Sequence, residues 1–189
     1  MGSEATISKQ RILDAAFALA MSKGLASLSI RAVAGACSVA VGTIYNYYPA
    51  KGDLIADVVE RFWKQAVTDE LMRPFPGEGF VEFCERLSHE LHGIFGGFRD
   101  TWLVQMAMMD RPSLEESRRK KAAYFEHVRA GLEAVLASDA RVDPGVFDGQ
   151  FTRSGLCAFV WESIVASLRH EEDQQSALFA LLRHTLYRA

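Results

Sequence analysis

A chain of 189 residues, 49% hydrophobic and 24% charged, has enough apolar side chain for a packed core and too little charge for wholesale disorder. No apolar run approaches the roughly 20 residues that cross a bilayer, and the N-terminal stretch "MGSEATISKQ" lacks the apolar region of a signal peptide, which predicts a cytoplasmic protein with no membrane partner. The net charge of −3 hides an asymmetry: residues 7–52 hold Lys9, Arg11, Lys23, Arg31 and Lys51 against Asp14 alone, while the rest of the chain is acidic.

A small basic head on an acidic body points to a polyanionic partner for the head. Cys37, Cys84 and Cys157 are widely spaced and form no C-x-x-C pair, so they are expected as reduced core thiols.

Nearly every segment has helical periodicity, and no useful strand-like alternation occurs. The first helix is expected over "SKQRILDAAFALAMSKG", with Ser8 as its cap, Gly24 at its end and a stripe of Ile12, Leu13, Ala16, Phe17, Ala20 and Met21. The second is "SIRAVAGAC", capped by Ser29, with Ile30, Val33, Ala34 and Cys37 recurring at i, i+3, i+4 and i+7. After a tight turn at Ser38 and Val39 comes "AVGTIYNY", which Pro49 stops.

A long connecting helix is expected over residues 51–72, ending before the break "RPFPGEG". Further helices follow over "FVEFCERLSHELHGIF" and "TWLVQMAMM". Ser113 and Glu116 form a capping box for a helix to about Ser138, Asp143 and Pro144 signal another over about 145–169, and "SALFALLRHTLYR" is the last. The expected fold is all-α. Residues 1–52 form a three-helix head, and a long helix joins it to a larger helical body over 53–189.

Two short helices separated by a three- to four-residue turn are the layout of a helix-turn-helix, whose second helix enters the DNA major groove. Burying Ile30, Val33, Ala34, Cys37, Val39 and Ile44 leaves Arg31, Val41, Gly42, Thr43, Asn46 and Tyr47 facing outward. Hydroxyls there can donate to phosphate oxygens, Val41 can meet a thymine methyl, Arg31 and Asn46 can reach base edges, and Gly42 permits close approach.

The spacing of Ser29, Val33, Ala34, Ser38, Val39, Ala40, Gly42, Thr43, Tyr45, Tyr47, Tyr48, Lys51 and Leu54 resembles the head of TetR-type transcriptional regulators, over residues 7–60. That family's pattern is T-x-x-x-I-A, then G-V-S-x-G-T-x-Y-x-H-F, then x-x-K-x-x-L. The chain departs from it at Ser38 for the turn glycine, at Ala40 for the serine, and at Tyr47-Tyr48 for His-Phe. By the resemblance, Ser29, Thr43, Tyr45, Tyr47 and Lys51 hold phosphates, while Arg31, Val41, Gly42 and Asn46 face bases. Core packing is the other reading of Tyr45 and Tyr48, and for Tyr48 it is preferred.

Five cations give one head little counterion release, which favours two heads on a palindrome with half-sites about 34–36 Å apart. The resemblance places a homodimer interface on the last two helices. Here Gly155, Phe159, Ser163, Ala166, Leu178, Leu182 and Leu186 are the candidates, with burial in their own subunit as the alternative. It also implies an effector pocket, for which Phe83, His89, Phe95, Trp102, Met106, Met109, Tyr124, Phe125 and Trp161 are the candidate lining and plain core the competing reading.

His89 and His92, with Glu85 one turn earlier, share a helical face but lack the H-E-x-x-H order, so no metal is expected. "SRRKK", residues 117–121, follows Glu115 and Glu116 and reads as a solvated face. Gly93, Gly96 and Gly97 follow no strand and make no dinucleotide fingerprint, and no catalytic constellation or cofactor motif occurs. The expectation is a ligand-responsive dimeric repressor bound to double-stranded operator DNA. The rival is an all-helical small-molecule carrier or enzyme whose head does not read DNA.

Overall fold

The computed structural model describes residues 7–96, 115–168 and 175–187, the side chains of residues 96 and 115–124 excepted. Among the described residues the regular structure is eight α-helices and two short 3-10 turns. The predicted helix "TWLVQMAMM" lies outside them. The chain divides into two compact units, residues 1–65 with 100–121 and residues 66–99 with 122–189.

The first unit begins with α1, Lys9–Lys23, where the Ser8 hydroxyl accepts from the Arg11 amide at 3.2 Å. Gly24, at φ 80°, closes it as only glycine does without strain. Helix α2, Ile30–Cys37, starts at Ser29, whose hydroxyl accepts from the Ala32 amide at 3.1 Å, and it buries Ile30, Val33, Ala34 and Cys37. Ser38 then turns the chain in the left-handed region at φ 56°, and its amide bonds back to the Gly35 carbonyl at 3.1 Å.

Helix α3 is only Val41–Tyr45, shorter than the expected stretch to Pro49. The Tyr47 amide bonds the Ile44 carbonyl at 3.0 Å, so the last turn tightens before the proline. Helix α4, Lys51–Ala66, buries Leu54, Val58 and Phe62. It stops six residues before the expected 72, because the Thr68 hydroxyl accepts from the Leu71 amide at 3.2 Å and starts a separate turn.

In the second unit, α5 is Phe80–Gly96, α6 is Glu115–Ser138, α7 is Arg153–Ser167 and α8 is Ser176–Leu186. Helix α6 reaches into this unit from residue 122 onward. The helix expected over 145–169 is corrected. Asp143 and Pro144 open a single 3-10 turn, Pro144–Val146, and α7 begins only where Thr152 caps it by accepting from the Gly155 amide at 3.0 Å. Asp148 is the reason. Its carboxylate accepts from the Gln150 and Phe151 amides, each at 2.7 Å, and so holds a turn where a helix would have run.

Asp139 ties the ends of these helices together. Its carboxylate accepts from the Phe80 amide at 2.7 Å, the Tyr187 hydroxyl at 2.8 Å and the Arg141 amide and Nε. The Tyr187 hydroxyl accepts in turn from the Val81 amide at 3.2 Å, and Tyr187 pairs with Val142 in an isolated bridge. A second tie is Arg86, whose guanidinium donates to both oxygens of Glu78 and to the carbonyls of Leu71 and Arg73. It fixes the proline-rich turn on α5.

Burial pushes the Asp139 carboxyl up, but Arg141, the Phe80 amide and Tyr187 outweigh it and bring it down to about 2. A carboxylate held below its unfolded value stabilises the native state above about pH 4. That contribution, about 2 kcal/mol, is lost as the pH falls through about 2. Asp139→Ala is expected to lower unfolding stability at pH 7 by about 2–3 kcal/mol and to flatten the acid limb between pH 4 and 2, read from urea midpoints across that range. In the first unit, Ser38→Gly is expected to raise stability by about 0.5–1 kcal/mol, because the left-handed turn suits glycine, and thermal melts of the two chains check it.

Candidate nucleic-acid interface

Helix α3 has five residues and too few internal hydrogen bonds to stand alone. Two side chains fix it to the head. Ile44 is fully buried, and Tyr48 is buried with its hydroxyl donating to Asp57 of α4 at 3.1 Å. Lys9 of α1 completes the node, with Nζ 3.0 Å from the same Asp57 oxygen and 4.9 Å from the centre of the Tyr48 ring. Burial first, then the Asp57 charge and hydrogen bond, hold the Tyr48 phenol far up and protonated. Farther along, Arg61 of α4 pairs with Asp14 of α1 and lies over the Phe17 ring at 4.7 Å.

With Ile44 and Tyr48 turned inward, the opposite side of α3 faces out. Val41 is 38% exposed, Tyr45 is 47% exposed, and Gly42, Asn46, Arg31 and Lys51 are exposed with them. A Cβ built on Gly42 meets nothing within 4 Å, so the fold itself does not require glycine there. Thr43 is half-buried, and the Ser29 hydroxyl is already the acceptor in the α2 cap.

Tyr47 differs from its sequence assignment. It is half-buried, and its hydroxyl donates to the Ile7 carbonyl ahead of α1. A phosphate oxygen is also an acceptor, so this proton cannot serve both. Lys9 is likewise committed to Asp57.

The expected effector lining is only partly brought together. Trp102, Met106 and Met109 and the side chain of Tyr124 lie outside the described residues. Phe83, Phe95 and Trp161 are buried, and Phe125 is half-buried with its ring edge-to-face on Trp161 at 5.6 Å. His89 is corrected: it is exposed, because the buried stripe of α5 runs through Phe80, Cys84, Leu87, Leu91 and Phe95 and leaves position 89 on the other side. His92, which the pocket assignment passed over, is half-buried with its ring nitrogens 2.8 Å from the Ser88 carbonyl oxygen and 3.3 Å from that of Ser167. Ser88 was missed as well, although it sits on the inward stripe one turn after Cys84.

Cys37, Cys84 and Cys157 are free and buried. Burial raises all three thiols, Cys157 to about 12, and keeps them protonated. Among the described residues no group of three metal-ligating side chains converges, and no helix is long and apolar enough to cross a membrane.

The interface candidates divide. Gly155, Phe159 and Ala166 are exposed along one stripe of α7, with Phe159 at 57%. Ser163 and Leu178 are half-buried, and the Ser163 carbonyl accepts from Gln175 at 3.0 Å. Leu182 and Leu186 instead fill the core of their own unit, and the exposed leucine on α8 is Leu181, at 61%. A broad apolar stripe on a helix does not by itself say which of its edges turns inward.

Residues 12–58 match the family model described as bacterial regulatory proteins, tetR family. Over 62 residues the chain is 44% identical to the transcriptional repressor KstR of Mycobacterium tuberculosis, which is 32% of this chain and 28% of that protein. It is 29% identical over 97 residues to the transcriptional regulator UidR of Escherichia coli, 49% of each chain. The match thus spans under a third of the first of these relatives, and both are named as regulators of transcription, not enzymes. The crystal structure of the multidrug binding protein EbrR complexed with imidazole shares the fold, at a TM-score of 0.54 and 22% identity over 96% of this chain and 90% of that one. Residues 12–58 thus match the helix-turn-helix head of the TetR family of bacterial regulatory proteins, and the all-helical fold is shared with EbrR.

Proposed function

We propose that this chain is a cytoplasmic, ligand-responsive transcriptional repressor that binds a palindromic DNA operator as a homodimer and leaves it when a small-molecule effector binds. Residues 1–52 carry the DNA contacts, and residues 53–189 sense the effector and dimerise. The observation that carries the reading is the outward side of α2, α3 and the start of α4. There Arg31, Val41, Gly42, Tyr45, Asn46 and Lys51 are exposed while Ile44 and Tyr48 anchor the other side.

That arrangement suits a major groove. Arg31 and Asn46 supply hydrogen bonds to base edges, Val41 an apolar contact, and Tyr45, Thr43 and Lys51 reach phosphates. Ser29 adds a hydroxyl at the start of α2. Tyr47 acts one step back, holding the segment before α1 through Ile7.

Pairing supplies what one head lacks. With Lys9 bound to Asp57, a single head offers few cations to phosphate, and joining two heads multiplies their contributions. Exposed Phe159 and Leu181 support a helix-to-helix interface in the body, together with Gly155 and Ala166, whose small side chains let a partner approach.

The measurement is fluorescence anisotropy on a palindrome from the chain's own upstream region, titrated at several salt concentrations. Binding is expected with a steep salt slope. Lys51→Ala, present twice in a dimer, should reduce that slope by about two, and Arg31→Ala should cost about 1–3 kcal/mol and relax sequence preference. A slope near zero, or equal affinity for scrambled duplex, would refute the reading. Tyr47→Phe separates positioning from contact: it should lower thermal stability by about 1 kcal/mol while leaving the salt slope unchanged.

A further inference from the structure

Residues 32–50 hold no charged side chain and no histidine, although they include all of α3 and most of α2. The outward side of α3 therefore meets its partner without charge. Val41 and Tyr45, both exposed, stand one helical turn apart and share one edge of that side. Ala40 leads into the edge as the N-cap of α3, where it makes no side-chain bond and where a serine would cap better. Gly42, next to Val41, has no side chain to hold a groove floor away, although a Cβ there would meet nothing within 4 Å. Just past the last turn of α3 the Asn46 amide is exposed. Two nearby hydroxyls are already engaged, that of Tyr47 with Ile7 and that of Ser29 in the α2 cap.

These groups fit one part of the base code. Guanine is read in the major groove by arginine or lysine, and the base-facing set supplies an arginine at Arg31, on α2. An amide pairs with adenine. An aliphatic side chain has one counterpart on the groove floor, the 5-methyl of thymine, because the other recognition groups there are donors and acceptors. A polar base edge laid against Val41 would lose water and gain no bond, which costs binding. The tetR-family match over residues 12–58 contains the whole edge, so the edge is continuous with the proposed DNA surface.

We propose that Val41 is a specificity-determining residue that packs on a thymine methyl, so that each operator half-site places a T·A pair under the start of α3. The methyl loses its water against the Val41 side chain, flanked by Ala40 and Tyr45, while Arg31 takes bases reached from α2. The inference rests on the DNA-binding reading above.

The test uses the full chain and a duplex that it selects from a random pool, with affinity read by fluorescence anisotropy at one fixed salt concentration. Each thymine is replaced in turn by deoxyuridine, which removes the methyl and leaves every hydrogen-bonding group in place. At one thymine of each half-site the replacement should weaken wild-type binding about fourfold, and about fifteenfold when both half-sites are changed, as expected for one buried methyl per half-site. Val41→Ala should bind the thymine and deoxyuridine duplexes within about 1.5-fold of each other. Arg31→Ala should bind both more weakly and keep the fourfold difference. Because Val41 is exposed, its alanine variant should melt within about 2 °C of wild type.

A selected duplex with no thymine whose methyl matters, a deoxyuridine loss that persists in Val41→Ala, or one that disappears in Arg31→Ala would overturn the inference and leave the regulatory reading standing. So would a change in the association state of Val41→Ala without DNA, read by sedimentation, which would mean that the edge meets protein. If the chain selects no duplex from the pool, both readings fall together.

Discussion

The hydrogen bond from Tyr48 to Asp57, closed over by Lys9, is the constraint on which the head depends. Helix α3 is one and a half turns long, so its orientation comes from what it is fastened to. Tyr48 fastens it to α4 with a large apolar ring and a single polar tip, and Asp57 meets that tip. Lys9 supplies the charge without which a buried carboxylate would be costly. One node therefore joins α1, α3 and α4, and the exposed side of α3 is what remains once it has formed. Its proposed role in meeting DNA is thus built from packing on the reverse side.

The body is organised by a different balance. Its charged ties, Asp139 with Arg141 and Arg86 with Glu78, sit at helix ends and turns, where they close loops and satisfy amides. Among the described residues its buried polar side chains are Ser88, Ser167 and Gln175, and Arg129 buries its Nε.

Helices with a cap and a clean stripe were legible from residues alone. Ser8 and Gly24 bound α1, Ser29 bounds α2, and the four residues spaced at i, i+3, i+4 and i+7 in α2 are its buried ones. Lengths were less legible where a cap signal competed with a continuing pattern. Thr68 ended α4 early, and Asp148 converted the first part of a predicted helix into a turn, because each side chain bonds amides that a continuing helix would have used. Aromatic content placed Phe125 and Trp161 among the candidate interior residues, but only the fold set their rings together, and the same reading misplaced His89 by one helical face.

The sequence by itself determined the all-helical class, the helix-turn-helix spacing and the outward placing of Arg31, Val41, Gly42 and Asn46, since these follow from periodicity and caps within a few consecutive residues. Only the tertiary structure decided that Tyr47 holds Ile7, and that Leu182 and Leu186 turn inward while Leu181 turns out. Each of those depends on which distant segment arrives opposite a given side chain. Local spacing specifies a helix and its stripe, but the partner that fills or leaves open each position comes from the packing of the whole chain.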